Sequence, residues 1–150
     1  MILIVDSGST KTDWIAINNK GEILFQTQTL GLNPQVLTDY IIEERIVNNF
    51  DLYQNRKSVT KLYFYGAGCG TEPPRLMIKG VFLNIFKTAE VLVKEDTFAA
   101  IYATADINKK SIVCILGTGS NCSYFDGVNV IQKITSLGYI LMDLSLIHIS

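Results

Sequence analysis

The chain has 150 residues, of which 48% are hydrophobic and 18% charged, so it can bury the core of an ordinary globular domain and is not a disordered segment. Its formal net charge of −1 gives no electrostatic reason to expect nucleic acid or an anionic membrane surface as a partner. No stretch approaches the roughly 20 apolar residues of a membrane span, and the N-terminus lacks the basic region of a signal peptide. The three cysteines form no Cys-x-x-Cys pair, which argues against a disulfide framework or a zinc site and favours a reducing cytoplasm.

The first predicted elements are two strands joined by a polar turn. The apolar run Ile2–Val5 predicts a buried strand, and a second strand is expected over Thr12–Asn18. Between them lie Asp6 and the turn Ser7–Lys11, which offer a carboxylate, hydroxyls, a lysine and backbone N–H groups. Such a tip suits a phosphate that carries a divalent cation. An ordinary polar hairpin turn explains the stretch equally well when it is taken alone.

Beyond this turn the sequence predicts alternating strands and helices, with antiparallel strands at the start of a mixed sheet. Asn18–Gly21 has the composition of a hairpin turn. Asn33 is placed to cap the first helix, and its amide could also face a cleft. The expected elements are a strand over Glu22–Thr29, a helix from Pro34 to about Asn49, a polar connector over Asp51–Ser58, a strand over Leu62–Tyr65, a helix from Pro73 to about Lys87, a strand over Glu90–Val93 and a helix over Thr97–Ala105.

Two of these strands are followed by residues that suit ligand binding or catalysis. The glycine-rich stretch Gly66–Gly70 follows the fourth strand, and Asp96 follows the fifth. Ligands of open α/β sheets lie at the carboxyl ends of strands, and glycines let a ligand approach the backbone closely. A carboxylate there suits a general base, but it suits a helix N-cap as well, and the glycines suit a flexible loop. The local sequence leaves these alternatives open.

The second part of the chain repeats the first in outline. A polar break at Asp106–Lys110 predicts a lobe boundary, with a first lobe over residues 1–107 and the start of a second over residues 108–143. Ser111–Leu116 predicts a buried strand, and the turn Gly117–Cys122 is again rich in glycine and hydroxyl groups. Strands over Ser123–Phe125 and Val128–Ile134 would then flank a hairpin. Two such turns facing each other across a cleft would grip a polyphosphate from both sides.

Taken in this order, the motifs resemble those of the actin-like ATPase superfamily, which includes sugar kinases, heat-shock chaperone ATPases and actin. Asp6–Thr12 is similar to the first phosphate motif of that superfamily, and Leu116–Cys122 is similar to the second. The BadF/BadG/BcrA/BcrD ATPase family, in its N-acetylglucosamine kinase-like branch, is the more specific resemblance, and it covers residues 1 to about 143. It is carried by Gly117–Cys122, by Asp96 with Ala99 and Ala100 after it, by Tyr65–Cys69 and by Ser136–Asp143.

This resemblance implies an α/β fold: an actin-like ATPase (ribonuclease H-like) lobe with a mixed five-stranded sheet and flanking helices, plus the first strands of a second similar lobe. It implies phosphoryl transfer from MgATP to an N-acetylated amino sugar such as N-acetylglucosamine, so the implied cofactors are ATP and Mg²⁺ and the partner is a small-molecule sugar. Such a reaction depends on positioning, cation charge and a base. The residues alone do not fix which sugar is bound.

The resemblance also implies a role for each matching residue. Asp6 would orient Mg²⁺ through water, and Asp96 would take the proton from the sugar hydroxyl. The residues implied to bind phosphate or nucleotide are Gly8, Ser9, Thr10, Lys11, Gly117, Thr118, Gly119 and Ser120. The residues implied to bind the sugar are Asn33, Gly66, Thr118, Asn121 and Asp143.

The chain departs from the family pattern after Asp143, where family members continue with an acidic, glycine-containing segment and a second lobe with an adenosine-binding motif. Residues 144–150 follow instead, and we expect this tail to be truncation or read-through sequence. His148 therefore receives no catalytic role, and the adenine-binding residues are expected to be missing. The 150-residue chain is accordingly expected to be an inactive fragment of a kinase. The oligomeric state stays open, a homodimer of the full-length parent included.

Two other functions remain open at this stage. Activators of acyl-CoA dehydratases or reductases have the same fold, but they need cysteines for a bridging iron–sulfur cluster. Cys69, Cys114 and Cys122 show no clear ligand spacing, which favours the kinase. A regulatory module that senses a sugar or a nucleotide without turnover is the other alternative. Asp96→Asn discriminates between these functions, because it should abolish phosphorylation and spare binding.

Overall fold

The structure is a computed structural model that describes residues 1–106, 109–116, 120–127 and 130–131. The chain divides into two compact units, the first over Met1–Asp96 and the second beginning at Thr97. The lobe boundary expected at residue 107 stays a prediction, because residues 107–108 lie outside the described ranges, as do residues 132–150. Among the described residues, no helix is long and apolar enough to cross a membrane.

A five-stranded mixed sheet forms the centre of the first unit. Its strands are β1 (Ile2–Ser7), β2 (Lys11–Ile17), β3 (Ile23–Leu30), β4 (Lys61–Gly66) and β5 (Glu90–Glu95). They lie in the order β3-β2-β1-β4-β5. Strand β2 is antiparallel to its neighbours β1 and β3, whereas β4 is parallel to its neighbours β1 and β5. Gly21, with φ of 83°, closes the hairpin between β2 and β3. The predicted mixed sheet is therefore confirmed.

The first helix begins later than the sequence predicted. Helix α1 spans Asp39–Val47, and its N-cap is Thr38, whose hydroxyl accepts the Ile41 N–H at 3.4 Å. The prediction that Asn33 caps this helix is wrong, because its side chain closes a separate turn. Asn33 Oδ1 accepts the Gln35 N–H at 2.9 Å, and the Asn33 carbonyl oxygen accepts backbone N–H groups of the same turn.

The predicted polar connector over Asp51–Ser58 is also wrong, since the structure forms helix α2 (Phe50–Asn55) there, followed by a 3₁₀ turn. Asn49 caps α2 by accepting the Leu52 N–H at 3.1 Å, and Leu52 is buried. One buried leucine and a good cap are sufficient for a short helix in a stretch that is otherwise polar.

One face of the sheet carries the core of the first unit. Alternate residues of β1, Leu3 and Val5, are fully buried, as the two-residue period of a strand requires. Helix α3 (Glu72–Ile85) presses Phe82 into this face, with its ring 6.3 Å from that of Trp14 and 5.0 Å from that of Phe64. Trp14 is fully buried, and its indole N–H donates to Thr29 Oγ1 at 3.0 Å.

The described part of the second unit contains a helix and a small antiparallel sheet. Helix α4 spans Thr97–Thr104, and the strands are β6 (Ser111–Leu116), β7 (Ser120–Phe125) and β8 (Val130–Ile131), in the order β6-β7-β8. The predicted strand over Ser111–Leu116 is confirmed. A small core of its own joins Ile101, Val113 and Phe125.

Candidate functional site

Three strand ends of the first unit meet at one edge of its sheet. In the parallel register, Ser7 of β1 lies opposite Gly66 of β4, and Gly66 lies opposite Glu95 of β5. The Asp96 N–H then donates to the Gly66 carbonyl oxygen at 3.2 Å. The predicted site residues Asp6, Gly66 and Asp96 are therefore brought to the same sheet edge, where open α/β sheets bind ligands.

The β1–β2 hairpin presents its tip beside this edge. The Gly8 N–H donates to the Lys11 carbonyl oxygen at 2.9 Å and so closes the turn. All four residues of Gly8–Lys11 are exposed. The Lys11 ammonium lies 2.9 Å from an Asp13 carboxylate oxygen, and both side chains are exposed, so this ion pair contributes little to stability. Little stability would therefore be lost if the Lys11 ammonium left Asp13 to bind a phosphate.

A chain of buried hydrogen bonds holds the hairpin from below, and the sequence analysis missed it. Ser7 Oγ accepts the Leu32 N–H at 3.1 Å and lies 2.8 Å from Thr12 Oγ1, which donates to the Leu30 carbonyl oxygen at 3.2 Å. Either hydroxyl can be the donor in this pair, because Thr12 can donate to the Leu30 carbonyl oxygen and Ser7 to the Gly8 carbonyl oxygen at 3.4 Å. Ser7 is 1% exposed and Thr12 is fully buried. The available signal was Thr12 itself, a hydroxyl at a core-facing position of β2.

The segment after β3 lies close against the tip from the other side. The Gly31 N–H donates to the Thr10 carbonyl oxygen at 2.8 Å. A Cβ at Gly31 would overlap the backbone of Gly8 and Ser9, so only glycine fits there. The Arg45 guanidinium of α1 donates to the Gly31 carbonyl oxygen. The tip is consequently fixed to β3 and α1 before any ligand is bound.

Asn33 lies between the hairpin tip and the glycine-rich loop. Its Nδ2 is 3.5 Å from Ser9 Oγ, and a Cβ at Gly68 would overlap its Oδ1. Gly68 also has φ of 81°, which disfavours any residue with a side chain. Close approach to the Asn33 amide, more than simple flexibility, therefore accounts for the glycine at position 68. The Asn33 side chain is half-buried, and its role in sugar binding stays a prediction.

Negative charge accumulates where the three strands end. Asp6 is exposed, but its pKa is raised. Loss of hydration is the largest cause, the charges of Asp96 and Asp13 add to it, and the charge of Lys11 opposes them. Loss of hydration and the charge of Asp96 raise the pKa of Glu95, with Arg75 opposing. Glu95 is not evident as a site residue from the sequence alone, because its contribution depends on the parallel register of β4 and β5.

Cys69 is a fully buried neighbour of the same carboxylates. Burial first, and then the charge of Asp96, raise the pKa of its thiol to about 12, against the opposing charge of Arg75. The thiol is therefore neutral and unreactive at physiological pH. It serves as packing beneath the glycine-rich loop, with no role in acid–base chemistry.

The donor set at this edge fits Mg²⁺ of the kind that travels with a nucleotide. Carboxylate oxygens are ligands that Mg²⁺ prefers, and a divalent cation would offset both the loss of hydration and the charge of Asp96 that raise the pKa of Asp6. Within the part of the chain that the structure describes, no group of three or more His, Cys, Asp or Glu residues is arranged as a metal cage. A protein ligand set of one or two carboxylates, completed by phosphate and water, is the usual arrangement for this ion.

Several of the predicted site residues cannot be placed. Gly117, Thr118, Gly119 and Asp143 lie outside the described residues, and the backbone of Ser120 and Asn121 begins β7. Their roles stay predictions.

Replacing Thr12 with valine should destabilise the first unit. Thr12→Val keeps the shape of the side chain but removes its hydrogen bonds to the Ser7 hydroxyl and the Leu30 carbonyl oxygen. These two groups keep the Gly8 carbonyl oxygen and the Thr29 hydroxyl as partners, so the expected cost is about 0.5–1.5 kcal/mol for each hydrogen bond lost. Urea unfolding followed by circular dichroism measures the change. The matched control is Thr71→Val, because Thr71 is exposed and its hydroxyl makes no capping hydrogen bond. Equal stability losses in the two variants would contradict the proposed importance of the buried chain.

Replacing Asp6 with asparagine should stabilise the protein when Mg²⁺ is absent. Because the folded state raises the pKa of Asp6 above its usual value of 3.8, its contribution to stability is greatest below that pH and is lost as the pH rises through the folded pKa. Asp6→Asn should therefore raise the unfolding temperature near neutral pH in EDTA, and the gain should shrink in acid. Glu43→Gln, which removes the charge of an exposed carboxylate on α1, is the control and should give no gain. A lower unfolding temperature for Asp6→Asn near neutral pH would refute this.

Comparison with known proteins identifies the fold. No protein-family profile matches the chain, and no curated protein does. The chain is similar to the solved structure of a candidate N-acetylglucosamine kinase from Porphyromonas gingivalis, with 37% sequence identity and a TM-score of 0.83 over 95% of this chain and 50% of that one. The chain therefore spans about half the length of this relative.

Two more distant structures share the fold alone. One is an inorganic polyphosphate/ATP-glucomannokinase from an Arthrobacter strain, at 17% identity and a TM-score of 0.55 over 89% of this chain and 62% of that one. The other is MreB5 of Spiroplasma citri bound to ADP, at 15% identity and a TM-score of 0.55 over 87% and 50%. The chain therefore has the actin-like ATPase fold, and it is similar to the N-acetylglucosamine kinase-like branch that its motifs indicate.

Proposed function

We propose that the protein is a cytoplasmic kinase that transfers a phosphoryl group from MgATP to a hydroxyl of an N-acetylated amino sugar such as N-acetylglucosamine. The observation that carries the proposal is the meeting of Asp6, Asp96 and the exposed tip Gly8–Lys11 at one sheet edge. The actin-like ATPase fold supports ATP as the phosphoryl donor. The similarity to the Porphyromonas gingivalis protein supports the class of sugar.

The residues at this edge divide the work of phosphoryl transfer. MgATP, when bound, supplies the phosphoryl group and the cation that offsets the charge developing on it. The Ser9 and Thr10 groups of the tip and the Lys11 ammonium would bind the phosphates, while Asp6 would hold the hydrated cation. Asp96 accepts the proton from the attacking sugar hydroxyl, a task that suits a carboxylate at a strand end. Asn33, held between Ser9 and Gly68, orients the sugar.

Binding of a nucleotide should depend on Mg²⁺ through Asp6. Isothermal titration with ADP or a non-hydrolysable ATP analogue, with and without Mg²⁺, measures this dependence. The titrated protein is a fusion of this chain to the remaining half of the Porphyromonas gingivalis relative, because the adenine-binding residues are expected to be missing from the 150 residues. Asp6→Asn should weaken the Mg²⁺-dependent affinity by about 10- to 100-fold, the range found when a residue that orients a metal's ligands is lost. Asp13→Asn, two residues beyond Lys11, should change the affinity by less. Nucleotide binding that is equally tight in both variants and insensitive to Mg²⁺ would count against the proposal.

Asp96 should be needed for turnover and dispensable for binding. The Porphyromonas gingivalis relative is twice as long as the aligned region, so we propose that the 150 residues alone bind ligands without turnover. Turnover is therefore measured in a fusion of this chain to the remaining half of that relative, by a coupled assay with N-acetylglucosamine. Asp96→Asn should lower kcat by about 10²–10⁴-fold, the usual contribution of a general base, with little change in sugar affinity.

The same assay separates the alternatives. Normal turnover by the 150-residue chain alone would refute its proposed inactivity. ATP hydrolysis that is independent of every sugar would favour an ATPase that activates a partner enzyme. A sensor would be favoured if the fusion binds the sugar without turnover and Asp96→Asn leaves the sugar affinity unchanged.

A further inference from the structure

Two cysteine thiols face each other in the second unit. Cys114 of β6 and Cys122 of β7 are directly opposite in the antiparallel register, and their sulfur atoms are 3.0 Å apart. Cys114 is exposed and Cys122 is partly exposed. Both are free thiols in the structure. Sequence spacing did not reveal the pair, because eight chain positions separate the two residues and only the strand register brings them together.

The backbone geometry of this pair fits a disulfide. Opposite residues of antiparallel strands have Cα atoms about 4.5 or 5.5 Å apart, and both distances lie in the range of about 4.4–6.8 Å that disulfides span. The sulfur atoms would have to approach by about 1 Å to reach a bonded distance of about 2.05 Å. Small rotations of the two side chains can supply this approach, so the strands need not move apart or slip.

We propose that Cys114 and Cys122 form a redox-reactive dithiol site that low-molecular-weight disulfides oxidise to an intramolecular disulfide. The proposal concerns only this sheet, so it does not depend on the proposed phosphoryl transfer. Transient disulfides of this kind occur in reducing compartments, where stable disulfide frameworks are rare.

The reaction with a small disulfide proceeds in two exchanges. The Cys114 thiolate attacks one sulfur of the oxidant, which gives a mixed disulfide at Cys114 and releases one thiol of the small molecule. The Cys122 sulfur then attacks the Cys114 sulfur, and the second small thiol leaves. Two electrons pass from the protein to the oxidant, and the two cysteine protons end on the released thiols.

The order of attack follows from the environment of the two sulfurs. The hydrogen bond with Cys114, and then loss of hydration, raise the pKa of the Cys122 thiol. A thiol with a raised pKa has less of the reactive thiolate, so the exposed Cys114 is the first nucleophile and Cys122 resolves the mixed disulfide.

The third cysteine provides an internal control. Cys69 is fully buried in the first unit, and its pKa is raised to about 12, so it should not react in the folded protein. Oxidation of the pair should therefore consume two of the three thiols and leave one.

The test equilibrates the 150-residue chain with mixtures of oxidised and reduced glutathione, in buffer and in concentrated urea. Acid quenching, alkylation under denaturing conditions and intact-mass analysis then count the remaining thiols. We expect a monomer that has lost two hydrogens and carries one alkyl group, with Cys114 linked to Cys122 in a peptide map. Because folding holds the sulfurs together, the equilibrium constant for this disulfide should be at least about tenfold larger in buffer than in urea.

Three outcomes would overturn the proposal: persistent glutathione adducts on the unmutated chain, disulfide-linked dimers as the main product, or an equilibrium constant no larger in buffer than in urea. The comparison with urea uses the unmutated chain, so it holds even if a variant fails to fold. Cys114→Ser and Cys122→Ser should each stop at a mixed disulfide with glutathione. Cys69→Ala should still lose two hydrogens, and failure to do so would also contradict the assignment.

Discussion

The parallel pairing of β1 with β4, and of β4 with β5, is the constraint on which the candidate site depends. Parallel strands in register must end at the same edge, so the residues that follow them are placed together whatever their charges. Here the pairing places Asp6 and Glu95 near Asp96, and loss of hydration first, then the charge of Asp96, raise the pKa of both. A folded chain that tolerates this unfavourable charge is poised for a cation, in line with the common trade of stability for function at active sites.

The buried residues beneath the hairpin tip, by contrast, are hydrogen-bonded to one another and to the backbone. Beneath the exposed tip, Ser7 and Thr12 satisfy each other and the backbone of Leu30 and Leu32, so no polar group there is left without a partner. This order is established without a ligand, and a site that is already ordered loses less conformational entropy when it binds. The site therefore joins a rigid support to a surface that is rich in carboxylates.

The sequence predicted the strands well and the helix boundaries less well, for physical reasons. Strands such as β1 and β6 are continuous apolar runs, and such runs have few alternatives in a folded domain. Asn33 followed by Pro34 is equally suitable for a helix cap and for an isolated turn. The helix begins later because Thr38 provides its N-cap. The short helix α2 depends on one buried leucine, which a polar stretch conceals.

The candidate site divides in the same way. Asp6, Gly66 and Asp96 could be chosen from the sequence because each ends a predicted strand, and strand ends are local features. The Ser7–Leu32 hydrogen bond and the Cys114–Cys122 pair could not, because they join residues whose proximity is set by tertiary register. Glu95 belongs with them, since only the neighbouring strand shows which carboxylates share its surroundings.

The position of Trp14 has a spectroscopic consequence. It is the single tryptophan of the chain, and it is fully buried in the core of the first unit, with its indole N–H bonded to Thr29. Excitation that is selective for tryptophan therefore reports on that unit alone. Far-ultraviolet dichroism, by contrast, averages the backbone of both units. A difference between the two signals during unfolding would separate the melting of the first compact unit from that of the second.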